Sequence, residues 1–280
     1  MPARVPTGES RSEERLRAHY AIERELADRL RRASKQERRI LYTTLYDELF
    51  RRVPDHPQLA RKRDAKVQAE TIQARMLLKR FLRPDSVYLE IGPGDCALAR
   101  EIAAEVKKVY AVDVSEEIAG GSSLPANFEL ALSDGCTIPV PDASINVAYS
   151  DQLMEHLHPD DALEQLRNIH KALAPGGVYI CLTPNRLSGP HDISRYFDES
   201  ATGFHLKEYT ATELMSIFRT TGFSEVKMLG GAKGIYLPLP SFLFKLMEEM
   251  LVGLPSRLSK SISRSLPLRL ILGIRLVAMK

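Results

Sequence analysis

The spacing of apolar residues changes character twice along the chain and divides it into three regions. From residue 13 to about 83 the apolar positions recur at helical intervals. In RRILYTTLYDELFRRV, Ile40, Leu41, Thr44, Leu45 and Leu49 fall on one side of a helix. Ser10 with Glu13, and Ser34 with Glu37, have the spacing of a capping box, in which a hydroxyl and a carboxylate satisfy free N–H groups of the first turn. The PDHP sequence at 54–57 interrupts the pattern, a third helix runs to about Leu82, and Pro84 stops it. The pattern predicts an N-terminal helical cap over 13–83 behind a disordered tail at 1–12.

From Asp85 to about Leu229 the period shortens. VYLEI, KVYAVDV, NFELALSD, INVAYS and VYICLTP are short apolar runs, separated by helical stretches such as AREIAAEVKK and DDALEQLRNIHKAL. Alternation of this kind builds an α/β, mostly parallel sheet with helices on both faces. Ligands of such sheets bind outside the C-terminal ends of the strands, where strand order reverses. In the remainder, Ser241 opens an amphipathic helix, with Phe242, Leu243, Leu246, Met247, Met250 and Leu251 on one side and Lys245, Glu248 and Glu249 on the other. Residues 273–280, GIRLVAMK, read as the last, antiparallel strand of the sheet, and 236–267 as a helical insertion before it. The alternative for this region is interfacial membrane contact, because basic residues alternate with large apolar ones.

Composition narrows the classes. A chain of 280 residues, 44% apolar, can bury one large core. Its net charge of +3 conceals a partition of +9 over 1–83, −12 over 84–229 and +6 over 230–280. The arginines of the ends are interleaved with glutamates rather than grouped with aromatics, so they read as solvated helix faces and no nucleic-acid partner is expected. No run of 18 apolar residues occurs and the first residues are charged, so neither a transmembrane helix nor a signal peptide is expected. Cys96, Cys136 and Cys181 are too few and too scattered for a disulfide framework or a zinc site; they point to buried thiols in a reducing, cytoplasmic setting. The histidines and aspartates show no standard metal spacing, and no metal is expected.

Candidate chemistry concentrates at VYLEIGPGDCALA, residues 87–99, where a strand ends in two glycines and a helix follows. Gly92, Gly94 and Ala97 fit G-x-G-x-x-[G/A] and Asp113 follows about 20 residues on, which keeps a nicotinamide-dependent oxidoreductase open. Glu90 argues against it. A carboxylate just before the glycines repels a pyrophosphate and suits a ligand with a positive amino group. Ser133-Asp134-Gly135 offers an acceptor for an adenine amino group, and Leu173–Gly177, LAPGG, forms a tight turn before VYICLTP.

Taken together, these residues resemble the class I, seven-stranded, Rossmann-like S-adenosylmethionine-dependent methyltransferases. The resemblance covers about Asp85–Leu229, through VYLEIGPGDCALA, YAVDVS, SDG, INVAYSDQLMEHL and LAPGG, and is nearest to the ubiquinone-biosynthesis and small-molecule subgroup, where a similar pair to Glu155-His156 follows strand four. Two departures stand out: Cys96 replaces the third motif glycine, with Asp95 before it, and Asn146 stands at the usual acid of strand four. The resemblance implies S-adenosylmethionine as cofactor, held by Glu90, Gly92, Gly94, Asp113, Asp134 and Gly135. Gly92 and Gly94 would let the backbone pass close to it, Asp113 would accept both ribose hydroxyls, and Asp134 the adenine amino group. Methyl transfer then needs an acceptor atom about 3 Å from the methyl and in line with it, with a base if that atom is a hydroxyl oxygen.

His156 is the first candidate base. The long connection PNRLSGPHDISRYFDESATGFHLKEYT offers more: His191 and His205 as bases, and Asp192, Arg195, Tyr196 and Tyr209 as acceptor-binding groups. The helical insertion would cover that acceptor pocket. The acceptor expected is a small molecule, a glycan or a lipid-linked precursor, with peripheral membrane contact through the C-terminal region as a further expectation. A methyltransferase fold that only binds, without catalysis, is the remaining alternative.

Overall fold

The computed structural model of the protein describes residues 9, 11–60, 65–115, 124–232 and 234–280. Its centre is an eight-stranded sheet. The strands are β1 (Val87–Ile91), β2 (Lys108–Asp113), β3 (Phe128–Leu132), β4 (Ile145–Asp151), β5 (Leu173–Thr183), β6 (Glu225–Ala232), β7 (Ile235–Leu239) and β8 (Ile274–Met279). They lie in the order β3-β2-β1-β4-β5-β8-β6-β7. The first five are mutually parallel, β8 runs antiparallel to both β5 and β6, and β7 turns back against β6. Strand order reverses between β1 and β4. The sheet thus has one strand more than the resemblance implied: β7 occupies the first residues of the stretch expected to be a helical insertion from 236.

Both faces are covered, and the strands alternate accordingly. Leu89 and Ile91 of β1 enter a core shared with α1 (Glu13–Arg32), α2 (Lys35–Arg52), α6 (Pro159–Ala172) and α7 (Ala211–Thr220), whereas Tyr88 enters a second core with Leu77 and Leu78 of α4 (Ala65–Leu78) and Ile102 of α5 (Ala97–Ala103). A short turn of helix, α3 (Pro57–Ala60), joins the cap helices. Ser34 and Glu37 complete the expected capping box, each satisfying the other's backbone N–H. At α1 the N-cap is Ser12 rather than Ser10, which lies outside the described residues. Most of the expected disordered tail also lies outside them; Glu9 and Arg11 are paired side chain to side chain at 2.9 Å. α4 ends at Leu78, ahead of the expected Leu82.

In α2 the inward face differs from the one that apolar spacing predicts. Leu45 and Leu49 are buried as expected, but Ile40 is 67% exposed, and Arg38 and Tyr42 turn inward in its place. Arg38 grips Asp161 of α6 through two hydrogen bonds, and the Tyr42 hydroxyl donates to the same carboxylate. A buried carboxylate at the start of α6 draws a polar face inward, because Arg38 and Tyr42 satisfy it there.

The C-terminal layer holds a similar reversal. In α8 (Ser241–Val252) the buried residues include Phe244, Glu248 and Leu251, while Phe242, Leu243, Leu246 and Met250 are exposed. Glu248 accepts from the backbone N–H groups of Ala211 and Thr212 at 2.7 and 3.0 Å, satisfying the free donors at the N-terminus of α7. Asn185 also donates to it at 3.3 Å. That anchor rotates the apolar stripe of α8 outward. Two further helices, α9 (Ser256–Ser263) and α10 (Leu266–Leu272), lead into β8. Ile274, Leu276 and Ala278 of β8 are buried between β5 and β6. No helix among the described residues is long and apolar enough to cross a membrane.

Candidate active site

The C-terminal ends of β1, β2 and β4 meet where strand order reverses, and the glycine loop lies there. Gly92 and Gly94 have φ of +67° and +57°, a region closed to most side chains. A Cβ at Gly94 would meet nothing within 4 Å, so the loop borders open space; at Gly92 it would touch Leu153 at 3.2 Å. Leu153 belongs to the turn after β4, so the two loops are in direct contact. Cys96 also takes a left-handed conformation, φ 59°, and its thiol is buried, as are those of Cys136 and Cys181. The residue in the third glycine position therefore keeps a glycine-like backbone.

Two carboxylates crowd this crevice. Glu90 is buried and accepts from the Tyr88 hydroxyl at 3.2 Å; burial pushes its pKa up to about 8, and Asp151 and Asp95 add repulsion. Asp151, exposed at the end of β4, accepts from the Tyr149 hydroxyl at 3.2 Å. A cation placed between Glu90 and Asp151 would relieve both. At the end of β2, Asp113 uses Oδ1 to accept from the N–H groups of Val114 and Ser115, at 2.7 and 3.2 Å. Its Oδ2 has no partner among the described residues. Burial raises its pKa to about 6 despite those two bonds.

The SDG turn plays a different part from the one expected. Asp134 Oδ1 accepts from the N–H groups of Cys136 and Thr137, and Oδ2 pairs with Arg39 of the cap at 3.2 Å. Gly135, φ +89°, leaves room for the Tyr42 ring: a Cβ there would lie 2.6 Å from it. Asp134 and Gly135 thus serve as docking points of the cap.

Next to the glycine loop a second group forms from two distant segments. Glu155 and His156 sit in a short 3-10 turn after β4, and His205 comes from the long connection after β5. One donor atom from each of the three lies within 4.8 Å of the others, and the two imidazoles meet edge to face. Glu155 is fully buried. Its Oε2 accepts from Thr183 at the end of β5 at 2.8 Å, Oε1 has no hydrogen-bond partner, and burial raises its pKa to about 7. His156 turns Nδ1 to the Phe204 carbonyl at 3.0 Å, with the Tyr46 hydroxyl equally near. The carbonyl only accepts, so Nδ1 carries the proton and Nε2 is a bare lone pair. Burial and the neighbouring His205 push the His156 pKa down to about 3. His205 directs Nδ1 at Glu208 Oε1, 2.7 Å away. Burial opposes its protonation, but Glu208 and Glu155 outweigh that and its pKa is raised.

Glu208 was not a sequence candidate. It accepts from His205, from the His191 backbone N–H at 2.7 Å and from the His191 ring at 3.3 Å; burial works against its charge, yet these bonds hold its pKa near 2. The spacing of His205 and Glu208, three apart, was its visible signal. His191 therefore stands one carboxylate removed from the cluster.

The other loop candidates brace the connection. Asp192 accepts from the N–H groups of Ser194, Gly203 and His205 and folds the loop on itself. Arg195 is exposed and lies over the Tyr196 ring, whose hydroxyl donates to Glu9. Tyr209 is buried in the core and bridges to Asn185. Each takes part in the architecture of the loop. Cap helix α1 completes the brace: Glu23 accepts from the Phe204 N–H, and Arg31 donates to the carbonyls of Thr202 and Gly203. Beyond the connection, a cleft of about 450 Å³ between it and α8–α9 is lined by Arg186, Lys207, Glu208, Leu251 and Lys260, among others.

Residues 48–227 match the methyltransferase-domain family. A protein of Mycolicibacterium smegmatis described as a probable S-adenosylmethionine-dependent methyltransferase is 31% identical over 143 residues, 51% of this chain and 53% of that one. A Mycobacterium tuberculosis protein of the same description is 33% identical over 143 residues, 51% and 50% of the two chains. The chain spans about half the length of the curated relatives it matches. Among solved structures, the fold resembles Haemonchus contortus phosphoethanolamine N-methyltransferase 1, with a TM-score of 0.58 at 12% identity over 88% of this chain and 50% of that one. It also resembles a chain of the complex between the Haloferax volcanii Trm112 methyltransferase activator and a methyltransferase, with a TM-score of 0.54 at 15% identity over 76% and 90%.

Proposed function

The chain belongs to the class I S-adenosylmethionine-dependent methyltransferases, and on that premise we propose that it moves a methyl group to a hydroxyl oxygen of a small-molecule, glycan or lipid-linked acceptor by in-line displacement. One juxtaposition carries the reading. The open glycine loop, with Glu90 and Asp113 beside it, touches through Leu153 the turn that bears Glu155 and His156. S-adenosylmethionine brings the methyl on a sulfonium that is already strongly electrophilic. The residues of the chain bind and orient. Gly92 and Gly94 make room for the cofactor, Glu90 and Asp151 suit its amino group, and Asp113 Oδ2 is available to the ribose hydroxyls. The unengaged atoms of Glu155, His156 and His205 receive the acceptor hydroxyl.

Calorimetric titration with S-adenosylmethionine and S-adenosylhomocysteine tests the first half. Asp113→Ala is expected to keep the fold and to weaken both ligands by roughly 1.5 to 3 kcal/mol, the range for hydrogen bonds to a charged group. Unchanged affinity would remove Asp113 from the site, and binding of NAD(H) in their place would make the protein an oxidoreductase.

Among the acceptor classes, the lipid-linked one draws specific support from α8. Phe242, Leu243, Leu246 and Met250 are exposed on it, and Ile235 and Leu237 of β7 are exposed as well. Sedimentation with anionic vesicles checks this: the wild type is expected to pellet and Phe242→Asp with Leu246→Asp to stay in the supernatant.

A further inference from the structure

We infer that Glu155, His156 and His205 form the binding site of one divalent metal ion. The inference rests on the acceptor reading of this cluster given above and says how the hydroxyl is received. Its basis is the pattern of engaged and bare atoms. Histidines that bind metals usually donate their other ring N–H to a carboxylate or a backbone carbonyl, which fixes the tautomer and aims the free nitrogen at the ion. Both histidines here do so: His156 Nδ1 donates to the Phe204 carbonyl, His205 Nδ1 to Glu208. Each retains an Nε2 with no hydrogen bond among the described residues. Glu155 is likewise divided, with one oxygen fixed by Thr183 and the other buried without a partner. A buried carboxylate oxygen is rarely left so. The fully buried Glu155 carries an unsatisfied acceptor and lies within reach of two imidazoles, and a cation would satisfy all three at once.

Two other groups of comparable residues in the protein lack this pattern. In the cap, His19 is held at both nitrogens, by Arg11 and by Glu23, and Glu23 gives its second oxygen to the Phe204 N–H. Near α6, Asp161 of the group Cys136, Asp161 and Glu164 is saturated by Arg38 and Tyr42, and Glu164 Oε2, though without a hydrogen bond, already faces the Lys35 ammonium at 2.8 Å.

Two imidazoles and a carboxylate without a thiolate suit a borderline ion such as Zn²⁺, Mn²⁺ or Fe²⁺, and three protein ligands leave positions for substrate. Bond lengths of about 2.1 Å place ligand atoms roughly 3 to 4 Å apart, so the three close in by about an ångström on binding. The ion would hold the acceptor oxygen beside the glycine loop and lower the pKa of its hydroxyl. The proton leaves to solvent, the oxygen–carbon bond forms as the carbon–sulfur bond of the cofactor breaks, and S-adenosylhomocysteine is released.

The test uses the full chain, stripped with a chelator and titrated with Zn²⁺ or Mn²⁺ alone, and in parallel with S-adenosylhomocysteine. Wild type is expected to take one ion per chain. Glu155→Gln and His205→Gln should each weaken the ion by about 100-fold or more and Glu208→Gln, which only positions His205, by about 10-fold, while S-adenosylhomocysteine affinity stays within about twofold and certifies the fold. Loading with Co²⁺ should give visible ligand-field bands that Glu155→Gln abolishes. The two ligand substitutions lie on separate elements, so either decides the matter. A wild type that binds S-adenosylhomocysteine but no ion overturns the metal site and leaves the methyltransferase reading standing; so do variants that bind the ion like wild type. A wild type that binds neither overturns both.

Discussion

Two clusters of two histidines and one glutamate lie on opposite sides of Phe204, and they are chemically unlike despite the shared composition. In the cap, His19, Glu23 and His56 form a mostly engaged set: Arg11 and Glu23 occupy the two nitrogens of His19, the Gln58 N–H donates to His56 Nδ1, and the second oxygen of Glu23 accepts from the Phe204 N–H. Beside the glycine loop, the Phe204 carbonyl takes only one proton from His156, and the set of Glu155, His156 and His205 keeps three bare atoms. Residue type does not separate a structural knot from a ligand site; the count of unengaged polar atoms does.

The largest effect tests the sheet on which both clusters depend. Thr183, which fixes Glu155, pairs in register with Ile274 of β8. Deleting residues 273–280 strips the inserted strand and its buried Ile274 and Leu276, each worth roughly 1.5 to 3 kcal/mol. Together with the lost ladder this approaches the whole stability of a domain, about 5 to 15 kcal/mol. We expect an insoluble product on expression; a folded truncation that still binds cofactor would place the β8 contribution elsewhere.

One substitution made in both clusters gives the sharpest contrast. Glu155→Gln and Glu23→Gln should move stability in opposite directions at pH 8, read by urea denaturation in metal-free buffer. The pKa of Glu155 is raised by burial to about 7 from the ordinary 4.5, so its charge costs stability above that pH and not below the unfolded value. Its neutral replacement should stabilise by about 1 to 3 kcal/mol. Burial opposes the charge of Glu23 as well, but bonds from His19 and Phe204 prevail and its pKa is lowered. Stability from Glu23 is therefore present above the unfolded pKa, and Glu23→Gln should lose about 1 to 3 kcal/mol. Shifts of equal sign would erase the distinction between the clusters.

A smaller difference appears in the pH dependence of stability. Burial, aided by His19, lowers the His56 pKa from 6.5 to about 4. The unfolded chain takes up that proton first, so the contribution of His56 is complete above 6.5 and is lost toward 4. The raised pKa of His205 has the reverse consequence: its contribution is complete below 6.5 and lost as pH rises through the folded value. His56→Gln should flatten the decline between pH 6.5 and 4, by up to about 1 kcal/mol per pH unit, whereas His205→Gln should leave that window alone and remove the loss of stability seen as pH rises above 6.5. Identical slopes in both variants would show that neither histidine titrates as its surroundings require.

What the sequence determined by itself was local and periodic. Alternating short apolar runs specified β1 to β5, VYLEIGPG specified a strand ending in left-handed glycines, and Asp113 was legible because it ends a strand at the expected distance. The Ser34–Glu37 capping box was legible for the same reason, since both partners lie within one turn. Tertiary structure decided which of the legible polar residues remained available. It paired Asp134 with Arg39 and packed Gly135 under Tyr42, each more than 90 positions away, and it drew Glu248 inward to the start of α7, which turned the apolar face of α8 outward. It also decided that Phe204 and Glu208 would fix the tautomers of two histidines 49 positions apart, beside a carboxylate left half satisfied. Periodicity reports what a residue does to its neighbours in the chain, whereas the saturation of a donor or acceptor depends on partners that only the packed fold brings within 3 Å.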